Sequence, residues 1–152
     1  MSPISNDHEL RLALDALSAD QQRVLGARFV HNVMNLCGDS RVLLAVTTGM
    51  NPAASAAECE EAFRAARTFA VTSYTECGKD TDWLAQAAHF VGAAAAASLT
   101  PPDAAGTGNA WKAAMQARMA RNCVMIAQDD GGDHEEAHRQ YQIANDYLAG
   151  SL

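Results

Sequence analysis

Alanine fills 32 of the 152 positions, and this constrains the fold before any motif does. A chain rich in the strongest helix former and without β-branched runs favours helices over strands. The large aliphatic types are correspondingly scarce, with Leu, Ile, Val and Phe together numbering 27. Combined with a net charge of −7, that scarcity approaches the composition of disordered chains, so folding has to be read from pattern. The pattern is that of a folded protein, because capping residues and Gly or Pro stops bracket almost every apolar-periodic run. The length suits one domain, which by surface scaling buries roughly 68% of the surface of its unfolded chain.

Seven helical segments and no strand follow from this punctuation. The first, Asp7 to Leu17, places Leu10, Leu14 and Leu17 on one face. Ser18 and Gln21 have the capping-box spacing and open a second helix over 19–37, stopped by Gly38, with the stripe Leu25, Phe29, Val33 and Leu36. A short helix from Arg41 to Thr48 should end at Gly49. Ser55 and Glu58 repeat the capping box for a fourth helix running to Cys77. Its inner stripe reads Cys59, Phe63, Ala66, Ala70 and Cys77, opposite a solvated face of Glu60, Glu61, Arg64 and Arg67. The fifth starts near Asp80 or Thr81 and reaches Ala97 before Pro101-Pro102. A sixth, Asn109 to Gln128, carries Trp111, Met115, Met119, Val124, Met125 and Ile126 broadly on one face. Gly131-Gly132 closes it, and Asp133 with Glu136 caps a last helix through Leu148.

These segments predict an all-α fold with one domain over 1–152. The architecture is an antiparallel bundle of about five longer and two shorter helices, with residues 1–6 as a flexible tail. The most apolar stretch, Leu84 to Leu99, is alanine-rich and carries Gln86 and His89, so no membrane span is expected. MSPISNDHEL has neither a basic nor an apolar leader region, which predicts a cytoplasmic chain with reduced thiols. An isoelectric point near 5.0 argues against a nucleic-acid partner; Lys112, Arg118 and Arg121 read as one ordinary helix face. No Gly-rich phosphate cradle follows a strand, so nucleotide chemistry has no support.

The sharpest chemical string is His134-Glu135-Glu136-Ala137-His138. It matches the H-E-x-x-H pattern, in which two His one turn apart bind zinc and the Glu activates water. Only 14 residues follow His138, leaving little chain for a further ligand, and no strand is available to bind an extended peptide. A helical-bundle site is the other use of this spacing: His134 and His138 joined by His31 or His89 and a water would make an open metal site. A di-iron centre of the ferritin type needs two Glu-x-x-His pairs, and Glu135 to His138 is the only one. The plainer reading places His134 and His138 on an exposed first turn, where Glu135 and Glu136 serve the helix dipole.

The remaining chemistry-bearing types read as scaffold. Cys37, Cys59, Cys77 and Cys123 stand singly, without a C-x-x-C pair, and suit small core positions. Cys37 and Cys77 precede helix-ending glycines, where the helix dipole disfavours a thiolate. Met115, Met119 and Met125 read as core filler and His89 as a satisfied core histidine.

Two resemblances follow from particular strings. HEEAHRQYQI resembles the closing segment of the DinB-like metal-dependent transferases, although no Gly follows Arg139. That resemblance implies His31, His134 and His138 as ligands of one divalent metal such as Zn or Ni, serving a transferase or hydrolase. Over more of the chain, four pieces are similar to the all-helical immunity proteins of bacterial toxin systems. They are Gly26-Ala27-Arg28-Phe29 through Cys37, Asp39-Ser40-Arg41, AAHFVGAAAAASL and WKAAMQARMAR. That resemblance implies a non-enzymatic protein that binds a basic toxin, with no catalytic residues and no cofactor. An acidic surface suits such a partner, and alanine faces on the fourth and fifth helices would also permit a homodimer.

Overall fold

The computed structural model describes residues 3–76, 82–101, 108–128 and 134–150. Among them are seven α-helices, one 3-10 turn and no strand, so the fold is an all-α helical bundle. In chain order the helices are α1 (Asp7–Asp15), α2 (Ala19–His31), α3 (Ser40–Met50), α4 (Ala56–Glu76), α5 (Trp83–Leu99), α6 (Asn109–Ala127) and α7 (Glu136–Gly150). None of them is long and apolar enough to cross a membrane.

The capping signals act as read. The Ser18 hydroxyl accepts from the Gln21 N–H while the Gln21 side chain accepts from the Ser18 N–H, satisfying two orphan donors of α2. Ser55 and Glu58 do the same for α4. Two further caps were not among the expected ones: Asp39 and Asp82 cap α3 and α5 through their carboxylates. The expected end of α4 at Cys77-Gly78, the start of α5 at Asp80 or Thr81, and the Gly131-Gly132 break with the Asp133 cap all lie outside the described residues.

Three boundaries differ for tertiary reasons. α2 ends at His31 instead of running to 37, and a 3-10 turn over Met34–Leu36 follows. The carbonyl of Asn32 at its C-cap is taken by Arg121 and the Asn32 amide by Glu136, so α6 and α7 hold the helix end open. Gly49 does not stop a helix but lies within α3, where a Cβ would stand 3.0 Å from the Cβ of Ala27. Residues 3–6 are not a loose tail. Ile4 is buried, and Asn145 of α7 clamps its backbone, accepting from the Ile4 N–H at 2.9 Å and donating to its carbonyl at 3.2 Å.

The core has two parts that share α2 and α6. One gathers Val30, Val33, Val42, Val46, Ala66, Val91, Ala94, Ala95, Ala113, Ala117 and Ala120 with their neighbours on α2 to α6. The other joins Ile4, Leu10, Leu14, Leu25, Phe29, Ala110, Ala114, Tyr141 and Ala144 from the N-terminal segment, α1, α2, α6 and α7. α5 lies mainly against α6 and α4. At the crossing of α2 with α5 and α6, a Cβ on Gly26 would stand 3.1 Å from Ser98 Cβ and 3.3 Å from Ala110 Cα. Only glycine permits backbones that close without displacement.

α6 corrects the reading of its own face. Its fully buried side chains are Ala110, Ala113, Ala114, Ala117 and Ala120, while Met119 and Ile126 stand 42% and 52% exposed. Trp111 and Met115 of the expected face do pack against the second core, but the face that meets α5 and α2 is the alanine one, because small side chains let those helices approach and close packing favours the face that fits. Ala117→Leu should therefore lower stability by about 1–3 kcal/mol or more by overpacking, whereas Met119→Leu should change the melting temperature little. Thermal unfolding of the two variants checks the assignment.

Candidate functional site

The catalytic-looking string at the start of α7 is divided by the backbone. Glu135 has φ +59°, a left-handed conformation that a residue with a Cβ adopts at a cost. The helix begins only at Glu136, and its first backbone bond runs from Arg139 N–H to the Glu135 carbonyl. His134 therefore lies before the helix, and the geometry that H-E-x-x-H requires, two His one helical turn apart on a single face, does not form. His134 instead acts as a helix cap: its Nδ1 accepts the Glu136 N–H at 3.1 Å. The proton must then sit on Nε2, which bonds to Asn122 Oδ1. Both ring nitrogens are occupied.

Glu136 is not an exposed partner of the helix dipole. It is completely buried, accepting from Arg121 Nε at 3.2 Å and from the Asn32 amide at 2.7 Å. One turn on, Gln140 is also completely buried, donating to the Ala114 carbonyl and accepting from Arg118 Nε at 2.8 Å. Arg118 reaches further, holding both carboxylate oxygens of Asp7 at 3.0 and 2.8 Å, and the Tyr141 hydroxyl donates to the same carboxylate at 2.7 Å. Arg118 and Arg121 are thus not part of a solvated basic face with Lys112. They are interior cations, one helical turn apart, that lock α1 and α7 onto α6. A fork-shaped guanidinium meeting a carboxylate at two points fixes register as well as charge.

The other histidines do not complete a site. His138 is exposed, with its ring edge-on to Tyr141. His31 is exposed at the end of α2, beside a shallow depression of about 260 Å³ lined by Arg28, Asn32, Met50, Ile143 and Asp146. Among the described residues no three His, Cys, Asp or Glu side chains form a group able to hold a metal ion. The set His31, His134 and His138 is therefore not assembled, because the turn at Glu135 and the cap on Glu136 direct His134 elsewhere. His89 is buried and bonds through Nδ1 to Ser73 Oγ at 2.9 Å; burial lowers its pKa below the usual value. Cys37 and Cys59 are free thiols. Burial pushes the Cys37 thiol up, offset in part by a hydrogen bond from the Asp39 backbone.

Two concave surfaces remain. A cleft of about 610 Å³ lies between α2, the start of α4 and the end of α5. On its walls Arg23 donates to the carbonyls of Gly49 and Asn51 and pairs with Asp20, and Asn109 donates to the Thr100 carbonyl. The second is a groove of about 220 Å³ between α3 and α4. Leu44 stands 69% exposed on its wall. Glu58 and Glu61 stand along the α4 side, and hydrogen bonds from Ser55 hold the Glu58 carboxyl below the usual carboxylate range.

No family model, curated protein or solved structure matches this chain. The polar seam itself had a faint sequence signal: Glu136, Gln140 and Ala144 recur every four residues on α7 and so share one face. Arg118 and Arg121 recur three apart on α6. Nothing in that spacing says that the two rows meet.

Removing one partner of a buried ion pair strands the other, at a typical cost of about 3–5 kcal/mol. Glu136→Ala should fall in that range, and Glu135→Ala, at an exposed position, should cost far less in urea unfolding. Asp7 has its pKa lowered first by the Arg118 hydrogen bonds and then by Tyr141. A depressed folded pKa contributes stability above the unfolded value that is lost as pH falls through the folded one. Asp7→Asn should thus lower the melting temperature at neutral pH, with the difference closing as pH drops below 3.8.

Proposed function

We propose that this chain is a non-catalytic helical binding protein whose partner is a basic protein, in the manner of a toxin-neutralising immunity protein. The observation that carries the reading is Leu44, 69% exposed on α3 at the wall of a groove whose α4 side carries Glu58 and Glu61. Large aliphatic side chains held in water are stabilised by a partner that covers them. The overall charge of −7 attracts a basic surface and accelerates encounter. The engagement of His134 and Glu136 in the scaffold supports a protein without a reaction centre in that string.

The test is capture of proteins on the immobilised full chain at low ionic strength, followed by a salt gradient, with metal content measured in parallel. The expected result is one basic protein retained in equimolar amount and released by salt, whose toxicity to growing cells is relieved by co-expression of this chain. Retention of no protein would overturn the reading. So would about one equivalent of bound metal that disappears in a His134→Ala, His138→Ala double variant.

A further inference from the structure

We propose that the groove between α3 and α4 is the docking surface, and that its occupant is a basic amphipathic helix of the partner protein. The inference rests on the binding-protein reading above and specifies where and what the chain binds. The floor is apolar and low: Ala45, Ala62 and Ala65 are short, and Leu44 rises from one wall. Short floor residues between two ridges leave room for longer side chains arriving from outside, the arrangement by which an amphipathic helix seats residues spaced three and four apart. The two contributing rows follow that same spacing, 41, 44, 45 and 48 on α3 and 58, 61, 62 and 65 on α4.

The charges select the sign of the partner. Glu61 is exposed and has no cationic partner among the described residues, while the neighbouring Glu60 is paired with Arg64. Glu58 lies one turn before Glu61 on the same wall. The cation at the groove, Arg41, is already matched by both oxygens of Asp39 and lies over the Phe69 ring. The Thr48 hydroxyl turns back to the Leu44 carbonyl, so it places no unmet polar demand on the apolar floor. What remains is an apolar slot beside two carboxylates. A helix with leucines on one face and lysines flanking them meets both, whereas an acidic helix would face Glu58 and Glu61 with like charge.

The test uses the ¹⁵N-labelled full chain and a synthetic leucine–lysine helix of about 14 residues, roughly four turns. A leucine–glutamate counterpart and a shuffled leucine–lysine peptide of equal composition serve as controls. Saturable amide shifts confined to residues 41–48 and 58–65 are expected with the amphipathic basic peptide alone. The Leu44→Ser, Glu61→Lys double variant changes two exposed residues, so its melting temperature should match the native chain. Its affinity for the peptide should drop about tenfold or more. Shifts elsewhere on the bundle, equal binding of either control peptide, or unchanged affinity of the variant would overturn the proposal. Shifts of the same amides with protein concentration in the absence of peptide would also overturn it, by making a second copy the occupant. A basic protein captured equally well by the native chain and the double variant would leave the binding reading standing and remove only this surface. Failure to capture any protein removes the reading itself.

Discussion

The close approach of α2, α5 and α6 is the constraint on which the rest of the molecule depends. A core built from alanine has little apolar area per side chain, so it gains contact only if the backbones come near one another. Gly26 favours that approach, since a Cβ there would press on Ser98 and the backbone of Ala110. Gly92 repeats the device where α5 passes the Phe69 ring of α4. The Ser98 hydroxyl, buried at this crossing, is satisfied by its own helix through the Ala95 carbonyl, so the seam carries no unmet polar group. Because α2 and α6 run through both halves of the core, the same contact sets the position of everything attached to them. It also explains why large residues of α6 such as Met119 and Ile126 are turned outward.

The ends of the chain are held by different physics. α1, α7 and the segment around Ile4 dock through Ile4, Leu10, Leu14 and Tyr141, and a polar seam supplements those contacts. Arg118 and Arg121 leave α6 to meet Asp7, Gln140 and Glu136, and Asn145 clamps the backbone of Ile4. Pairs with a buried member, as Arg121–Glu136 is, are weak sources of net stability against an apolar alternative but are intolerant of misalignment, whereas the Asp7 end of the seam is half-exposed. Their position sets where α7 begins, and hence where His134 stands. A string with the residue types of a metalloenzyme has thereby become an N-terminal cap, a buried carboxylate and an exposed ring. Elsewhere on the bundle, Leu44 of α3 and Glu58 and Glu61 of α4 line a shallow groove.

Much of the fold was legible because its signals are local. The capping boxes at Ser18 and Ser55 join residues three apart, so short-range geometry alone decides them. The leucine spacing of α1 and the Leu25, Phe29, Val33 stripe of α2 are local in the same sense. The errors share the opposite character. The end of α2 depends on Arg121 and Glu136, 89 and 104 residues away in sequence. The docking of Ile4 depends on Asn145, 141 residues away. The inward face of α6 depends on which neighbour can approach it, and in an alanine-rich helix the size of side chains does not mark the core.

The sequence by itself determined that this chain is helical, where most helices start and that its surface is acidic, because propensity, capping and charge act within a few residues or sum over the whole chain. Only the tertiary structure decided that Glu136 is interior and Leu44 exterior, that His134 caps instead of coordinating, and that α3 and α4 leave a groove between them. Those outcomes rest on backbone distances between helices, and such distances are set by packing between residues that the chain does not place side by side.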